Sequence, residues 1–441
     1  MRPRAPFEIA PKMRPLPARR TMVVGVLDVG TSKVVCLIAR LRPREPGEVL
    51  RRRSHSVEIL GIGHTRAHGM KGGAVVDMER AEQAIRHAVD AAERMAGVQI
   101  ASVLVSVAGG RPGSEHYAAE VAVPEPAVAE GDIRRVLDAA SRFAVGDGRA
   151  VLHALPVGYE LDGAPGISDP RGMLARRLGV DLHVVTSDAA AVRNLLLCIE
   201  RCHLGVEAMV AAPYAAALST LADDEAELGV TLIDFGAGTT TVAVVAQGHC
   251  VQVNGVAMGG QHITNDVARG LSTRLADAER LKTLHGGVTA IASDDHEMLT
   301  VPAISDDERD LPRVAPKSQL LQIVRPRVEE IVELVRDRLV ASGHANDAGR
   351  RIVLTGGAAQ LTGLQEIVGR ILGPQVRIGR PLGISRLPEA ARGAPFAVAA
   401  GLLVYPQVAG LEHFEARRRR SAHAAGDGYF SRVGHWLREA F

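Results

Sequence analysis

Two segments in opposite halves of the chain carry the same turn: Val24-Gly-Val-Leu-Asp28-Val-Gly30-Thr31-Ser32-Lys33 and Val230-Thr-Leu-Ile-Asp234-Phe-Gly236-Ala237-Gly238-Thr239-Thr240. In each, an apolar strand-like run ends on an Asp and opens into glycines and hydroxyls. A carboxylate closing a buried strand can hold the water shell of Mg²⁺, a hard cation that prefers oxygen ligands and keeps several waters. The glycines let the chain turn tightly enough for backbone N–H groups and a hydroxyl to face phosphate oxygens. A single Asp-x-Gly also spells an ordinary hairpin turn. A matched pair, one in each half, is a far more specific sign of a phosphate-bearing ligand.

A third stretch fits the same site. Arg350-Arg-Ile-Val-Leu-Thr355-Gly356-Gly357-Ala358-Ala-Gln360-Leu-Thr-Gly363-Leu reads as a buried strand, a double-glycine tip and a helix whose apolar positions run through Ile367, Val368 and Ile371. With no Cβ at Gly356 and Gly357, a flat ring has room to lie against the backbone. Alone, the stretch reads as an ordinary strand-to-helix turn. In this order the three motifs resemble the actin/Hsp70/sugar-kinase superfamily, in which two related α/β domains close over ATP·Mg²⁺. The resemblance implies an actin-like α/β two-domain fold with ATP and Mg²⁺ between the halves. Asp28 and Asp234 then lie near the metal. Gly30, Thr31, Ser32, Lys33, Gly236, Ala237, Gly238, Thr239 and Thr240 surround the phosphates, and Gly356, Gly357, Ala358 and Gln360 meet the rest of the nucleotide. No Walker-type G-x-x-x-x-G-K-[ST] occurs.

The 441 residues suffice for two to four compact units with a large core. At 46% hydrophobic and 23% charged the composition is that of an ordinary soluble protein, and a formal charge of +2 argues against a nucleic-acid partner. Four cysteines (Cys36, Cys198, Cys202, Cys250) without a paired framework point to a reducing compartment. Cys198, Cys202 and His203 are spaced for a metal on one helix, but two thiols and one imidazole do not complete a closed tetrahedral site. The first twenty residues hold five prolines and six basic residues and no apolar core, so they are neither a secretory signal nor a membrane span. No run of eighteen apolar residues occurs, so any membrane contact is expected to be peripheral and from the cytoplasm.

Along the chain, the pattern from Met22 predicts two strands, a basic turn from Arg42 to Arg53, a strand at Val57 to Gly63, a helix from Met78 to Met95 and a strand at Val103 to Val107. Ala81, Ile85, Ala88, Val89 and Ala92 form the helix's buried stripe. From Ala108 to Thr186 that α/β rhythm breaks. A connector with Pro112, Pro124 and Pro126 leads to one amphipathic helix (Ile133, Val136, Leu137, Ala140) and strands at Val151 to Leu155 and Leu182 to Val185. This is an insertion within one domain. Gly259 and Gly260 open a helix bearing Thr264 and Asp266, and a charged helix with Asp277, Glu279 and Lys282 follows. In ATPases of this superfamily similar polar residues approach the nucleotide. A solvated surface helix accounts for Glu279 and Lys282 equally well.

Past Gly401 the fold is expected to end near Tyr405, leaving a linker with Arg417 to Arg420 in a row. Phe430, Val433, Trp436, Leu437 and Phe441 then share one helical face, flanked by Arg432, His435 and Arg438. The chain's single Trp lies here. An apolar face with Trp and Phe edged by arginine matches an interfacial membrane anchor, and the alternative is a terminal helix docked on its own domain.

The insertion and the tail narrow the resemblance to the FtsA family of bacterial cell-division actin homologues, from about Val23 to Phe441. The marks are Gly69-Met-Lys71-Gly72-Gly73-Ala-Val-Val-Asp77, Val151-Leu-His153-Ala-Leu-Pro156-Val-Gly-Tyr159-Glu-Leu-Asp162, Gly166-Ile-Ser-Asp-Pro170-Arg-Gly172 and the terminal Ser-x-x-Gly-x-Trp-Leu-Arg. These are expected to lie outside the ATP site. The resemblance implies subdomain IA at 22–107, 187–216 and 385–405, and an SHS2-like subdomain IC at 108–186. It implies IIA at 217–250 and 330–384, and IIB at 251–329. A disordered tail at 1–21, a flexible linker at 406–428 and a membrane helix at 429–441 complete the division. It also implies ATP binding, self-assembly into filaments, capture of the C-terminal peptide of FtsZ by IIB, anchoring to anionic lipid of the inner membrane and recruitment of later division proteins. The N-terminal tail and the basic loop from Arg42 to Ser56 exceed the family pattern. Hydrolysis has no evident base in Ala211-Ala-Pro213-Tyr214-Ala-Ala-Ala217, which suits slow turnover at most. A pilus-assembly actin homologue of the PilM type and a small-molecule kinase of the superfamily are the competing readings. A chaperone would need a peptide-binding domain after residue 405, where some forty residues are left.

Overall fold

The computed structural model describes residues 8–13, 16–17, 19–44, 53–143, 145–289, 291–304, 312–343 and 351–413. The first half runs through β1 (Glu8–Ile9), β2 (Met22–Val29), β3 (Lys33–Pro43), β4 (His55–Arg66), a small hairpin of β5 (Met70–Lys71) and β6 (Ala74–Val75), α1 (Met78–Ala96) and β7 (Ser102–Val107). The stripe expected of α1 is buried. Asp77 accepts from the Arg80 N–H to cap its start, and Gly97 ends it in the left-handed conformation. Next come β8 (Gly113–Ala122), α2 (Glu130–Ala140), β9 (Arg149–Leu161), β10 (Ala164–Ile167) and β11 (Arg177–Asp188), followed by α3 (Ala189–Arg201), β12 (Gly205–Ala211) and α4 (Ala212–Thr220).

The second half contains α5 (Asp223–Leu228), β13 (Val230–Phe235), β14 (Thr240–Ala246), β15 (His249–Val256), α6 (Gly260–Gly270), α7 (Leu275–His285), β16 (Met298–Val301), β17 (Arg313–Pro316) and α8 (Lys317–Ala341). After β18 (Arg351–Thr355), α9 (Leu364–Ile371), β19 (Gln375–Ile378) and β20 (Ile384–Ser385), α10 (Ala397–Val404) returns to the first half.

Each half is built on a mixed sheet that starts from an antiparallel hairpin and adds parallel strands. Among the described residues the first sheet has the order β12-β7-β2-β3-β4-β20 and the second β15-β14-β13-β18-β19. The insertion has its own sheet, β1-β9-β11-β8, with β10 on β9, and its own apolar core around Val136, Leu152's neighbour Val151, Leu178 and Leu182. Separate cores underlie the two main sheets. Several expected unit boundaries fall inside single elements: 186/187 within β11, 216/217 within α4 and 329/330 within α8. Continuous strands and helices thus carry the chain from one unit to the next.

Three expectations are corrected. The stretch read as a proline-rich connector contains β8, ten residues that pair in full register with β11 from Arg177–Ala122 to Thr186–Gly113. Residues 1–21 are not wholly unstructured. Glu8–Ile9 pairs in parallel with Ala150–Val151, and Pro11 accepts from the Met209 N–H. The chain also stays within the fold past Tyr405, where His413 donates its N–H to Ala154 of the insertion.

The two ends of the body are bolted together. The Glu412 carboxylate, 3% exposed, meets Lys12 Nζ at 3.0 Å and His153 Nδ1 at 2.7 Å. The other ring nitrogen of His153 accepts from the Ala211 N–H at 2.9 Å, and Tyr214 and Tyr405 edge the ring. Burial alone would raise the Glu412 carboxyl, but Lys12 and His153 hold it down at about 2. Because this folded value lies below the ordinary 4.5, the stability it supplies is present above pH 4.5 and is lost as pH falls toward 2. Glu412→Gln strands a buried ammonium. It is expected to lower stability by roughly 3–5 kcal/mol at pH 7, a gap that narrows below pH 4.5 and is read by urea denaturation.

The insertion also touches the second half. Ser114 Oγ donates to the Val253 carbonyl at 3.1 Å and accepts from its N–H at 2.7 Å. His183 Nδ1 bonds the Cys250 carbonyl at 2.6 Å and His116 Nε2 bonds that of Val251 at 2.9 Å. Side chains of β8 and β11 therefore occupy backbone groups along β15, the edge strand of the second sheet.

Candidate functional site

Both phosphate-type motifs are tips of antiparallel hairpins, β2–β3 and β13–β14. In each, the glycine two residues past the Asp donates its N–H to the carbonyl three residues further on. Gly30 bonds Lys33 and Gly236 bonds Thr239, both at 3.0 Å. Hairpin turn and phosphate loop are thus one object, repeated in the two halves. Among the described residues the N–H groups of Thr31, Ser32, Ala237 and Gly238 make no hydrogen bond within the protein, which leaves four donors for anionic oxygens.

The two tips meet. A Cβ on Gly238 would stand 2.4 Å from Thr31 Oγ1 and 3.0 Å from the Gly72 Cα, so only glycine permits this approach. The β5–β6 hairpin closes the contact from the side, its Gly73 N–H donating to Thr31 Oγ1 at 3.0 Å. Gly72 and Gly73 were expected to lie away from the site, and the structure sets them against its two loops. The signal the sequence offers for them is the double glycine itself, a turn former between two short strands.

Asp28 and Asp234 end the two central strands. Asp28 Oδ1 accepts from Ser106 Oγ at 2.6 Å. Burial raises the pKa of both carboxyls. Asp234, 8% exposed, is lifted to about 7 by burial and then by the charge of Asp28, against the opposing pull of Lys33. Lys33 is itself lowered to about 8 by burial, in spite of both carboxylates. Its Nζ sits 3.7 Å over the ring of Phe396, a cation–π contact that sequence reasoning missed because Phe396 arrives from the far end of the chain.

The second loop leans on the start of α6. Gly260 and Gln261 donate to the carbonyls of Gly236 and Ala237 at 2.9 and 2.7 Å, with Gly259 packed between. Lys282 on α7 reaches back to Gly260 O at 3.1 Å, Thr264 Oγ1 at 2.8 Å and Glu279 at 2.7 Å. Lys282, its side chain 12% exposed, thereby braces the start of α6, while Glu279 stands half exposed beside it. Gly356 adopts φ +89°, and a Cβ there would stand 2.4 Å from Asp234 Oδ1, so the double-glycine turn is pressed onto the second carboxylate. Gly357 opens the other way, with nothing within 4 Å of where its Cβ would be. Ala358 faces Gly260, and exposed Gln360 bonds the Gly357 carbonyl at 3.4 Å.

Thr240 departs from expectation. It is fully buried and donates to Met258 O at 2.9 Å, fixing the hairpin instead of facing a ligand. Phe430, Arg432, Val433, Trp436, Leu437, Arg438 and Phe441 lie outside the described residues. Among those described, no helix is long and apolar enough to cross a membrane, and no group of three His, Cys, Asp or Glu is placed to hold a metal. Chemically, the cleft offers two carboxylates for a hard cation with its waters, amides for phosphate oxygens and an open glycine surface for a flat group.

Residues 231–401 match the family model described as cell division protein FtsA, and residues 109–186 match that of the SHS2 domain inserted in FtsA. The chain is 49% identical over 431 residues to the cell division protein FtsA of Rhizobium meliloti (strain 1021), covering 98% of each. It is 32% identical over 429 residues to that of Escherichia coli (strain K12), covering 96% of this chain and 99% of the relative. Among solved structures, the PilM–PilN type IV pilus biogenesis complex aligns with TM-score 0.59 at 14% identity, over 87% of this chain and 98% of that one. MreB5 of Spiroplasma citri bound to ADP aligns with TM-score 0.50 at 14% identity, over 88% and 97%. These likenesses show an actin-like fold carrying the inserted domain.

The raised Asp234 value makes its buried carboxylate costly at high pH. Stability tied to this group is present below the ordinary 3.8 and is lost as pH rises through about 7. Asp234→Asn should remove that loss. In thermal or urea unfolding the variant is expected to gain on the wild type between pH 5 and 8, by on the order of 2–4 kcal/mol. A difference that stays constant over this range would show that the carboxylate is already compensated.

Proposed function

Because the chain belongs to the FtsA family of cell-division proteins, we propose that it is an ATP-binding, filament-forming protein that ties the C-terminal tail of FtsZ to the cytoplasmic face of the inner membrane at the division site. The observation that carries the nucleotide part is the meeting of two Asp–Gly hairpin tips across the halves, each with unpaired amides. ATP would place its phosphates between Gly30–Ser32 and Gly236–Thr239, and its adenosine against Gly356 and Gly357. Mg²⁺ would take Asp28 and Asp234 through water and offset the repulsion between them. The metal would supply charge neutralisation at the phosphates. α4 presents no acid or base, its residues Ala212 to Ala217 being buried, so the chain's own groups favour binding over rapid hydrolysis.

For the FtsZ peptide, the segment 251–329 offers a groove of about 440 Å³ along α6, lined by Asn265, Arg269, Ser272, Thr273, Leu275 and Ile304. Exposed Leu275 and Ile304 supply apolar contact, and Arg269 supplies a cation for a terminal carboxylate. The insertion, with its own core, suits contacts between successive subunits. Later division proteins would gather on the resulting filament. A PilM-type role has the fold alone in its favour, whereas the FtsA relatives match over nearly the whole chain.

The tail from Tyr429 to Phe441 would form the anchor. Each large apolar side chain it buries contributes roughly 1.5–3 kcal/mol, and the short helix must be ordered on binding. One anchor therefore holds weakly and many on one filament hold well. Trp436→Glu should release the protein from liposomes in co-sedimentation while leaving FtsZ-peptide affinity intact, and unaltered sedimentation would remove the anchor from this reading. Arg269→Glu should weaken FtsZ-peptide binding by about tenfold, the scale of one charged hydrogen bond, with ATP affinity unchanged. Fluorescence anisotropy of a labelled peptide reads it, and equal affinity would place the peptide elsewhere.

A further inference from the structure

The arginines at the loop end of the β3–β4 hairpin have no part in the cleft. The ladder sets Arg40 opposite Glu58 and Arg42 opposite Ser56, so Arg40 and Arg42 share one face of the sheet. On the other side of β4, Ser385 of β20 pairs with Glu58 and brings Arg386 alongside. All three guanidiniums converge on the one carboxylate, at 3.4 Å for Arg40, 3.1 Å for Arg42 and 2.9 Å for Arg386. One negative charge leaves this cluster with an excess of two. The carboxylate lies beneath, its side chain 13% exposed, while Arg42 and Arg386 stand outward at 53% and 74%. An outward positive surface above a shared counter-ion attracts extended negative charge.

The chain passes this end six residues before it leaves the body at His413, on Ala154 of the insertion. Gln407 Oε1 accepts from the N–H of His55, the residue before Ser56 on β4, at 2.9 Å. Six residues later the described chain ends at His413, with 28 residues still to follow. The fifteen of these that precede Tyr429 span at most about 50 Å. A tail of this reach holds the body close to whatever surface it grips.

We propose that Arg40, Arg42 and Arg386 form a second membrane contact, in which the body itself binds the headgroups of anionic phospholipids. The proposal rests on the tail being an anchor. With the tail inserted, the arginines meet headgroups at high effective concentration, so a contact too weak alone adds to retention. Each arginine near an anionic surface contributes about fivefold in affinity, and the gain fades with salt.

The test is co-sedimentation of the full chain with vesicles of phosphatidylcholine alone, or with one third phosphatidylglycerol, across a salt series. Arg42→Glu/Arg386→Glu should weaken binding to the anionic vesicles by about tenfold or more and flatten its salt dependence. Binding to the neutral vesicles should not change. Glu58→Gln, which removes the competing carboxylate, should strengthen anionic binding, an outcome that mere loss of structure cannot produce. Anionic binding unaltered in both variants would overturn the proposal. If the double variant fails to fold, by its melting curve, Glu58→Gln decides alone, and binding equal to or weaker than wild type overturns it. Trp436→Glu separates the two readings, because the tail is scored on neutral vesicles and the arginine face on the difference between the two compositions.

Discussion

Two carboxylates, Asp234 buried and Asp28 half-buried, and a lysine face one another across the cleft, held there by backbone rather than by mutual attraction. Asp28 and Asp234 are carried to the ends of their central strands by sheet register, and Gly356 is pressed directly onto the second of them. Ser106 supports Asp28, and Phe396 covers Lys33. The halves close on each other only because Gly238 lets Thr31 and Gly72 approach. The charges in the cleft therefore report on anything placed between the halves. A cation with phosphates would relieve what burial has raised, and the sheets of both halves would feel the difference through their own central strands.

Much of this was legible in the sequence because it is local. Asp, Gly and hydroxyl residues follow apolar runs within ten positions, and α1 shows its stripe. β8 was not legible. Its alternation mixes Ser114, His116 and Glu120 with small residues, so hydrophobic periodicity is weak, and three nearby prolines read as a connector. Its pairing with β11 lies some sixty residues away, and only tertiary structure supplies it. Phe396 over Lys33 and Glu412 between Lys12 and His153 were hidden for the same reason. Each joins parts of the chain that no window contains.

For Glu279 and Lys282 the spacing left two readings open. Their spacing permitted a solvated face, yet Lys282 is tied to Gly260 and Thr264 and so braces the helix on which the second loop leans. Thr240 looked like a ligand contact by motif and turned out to fasten its own hairpin. A phosphate-loop signature marks where a turn must be, while the task of each hydroxyl within it depends on which neighbour reaches it first. The insertion is likewise more than an appended lobe. Through Ser114, His116 and His183 it holds the edge strand of the opposite half, so its position depends on both domains.

The bond between Lys12 and Glu412 joins residues 400 positions apart at the point where the chain leaves the body. A pull on the residues beyond 413 does not peel the fold from its end. It arrives at Glu412 and His413, which are fastened to β9 by His153 and Ala154, and it runs along that strand into the sheet of the insertion. Loaded in this way, backbone and ionic bonds resist together instead of one after another. The body is built as a mechanical fitting, with its strain-bearing seam at the insertion and the cleft between its halves out of the line of force.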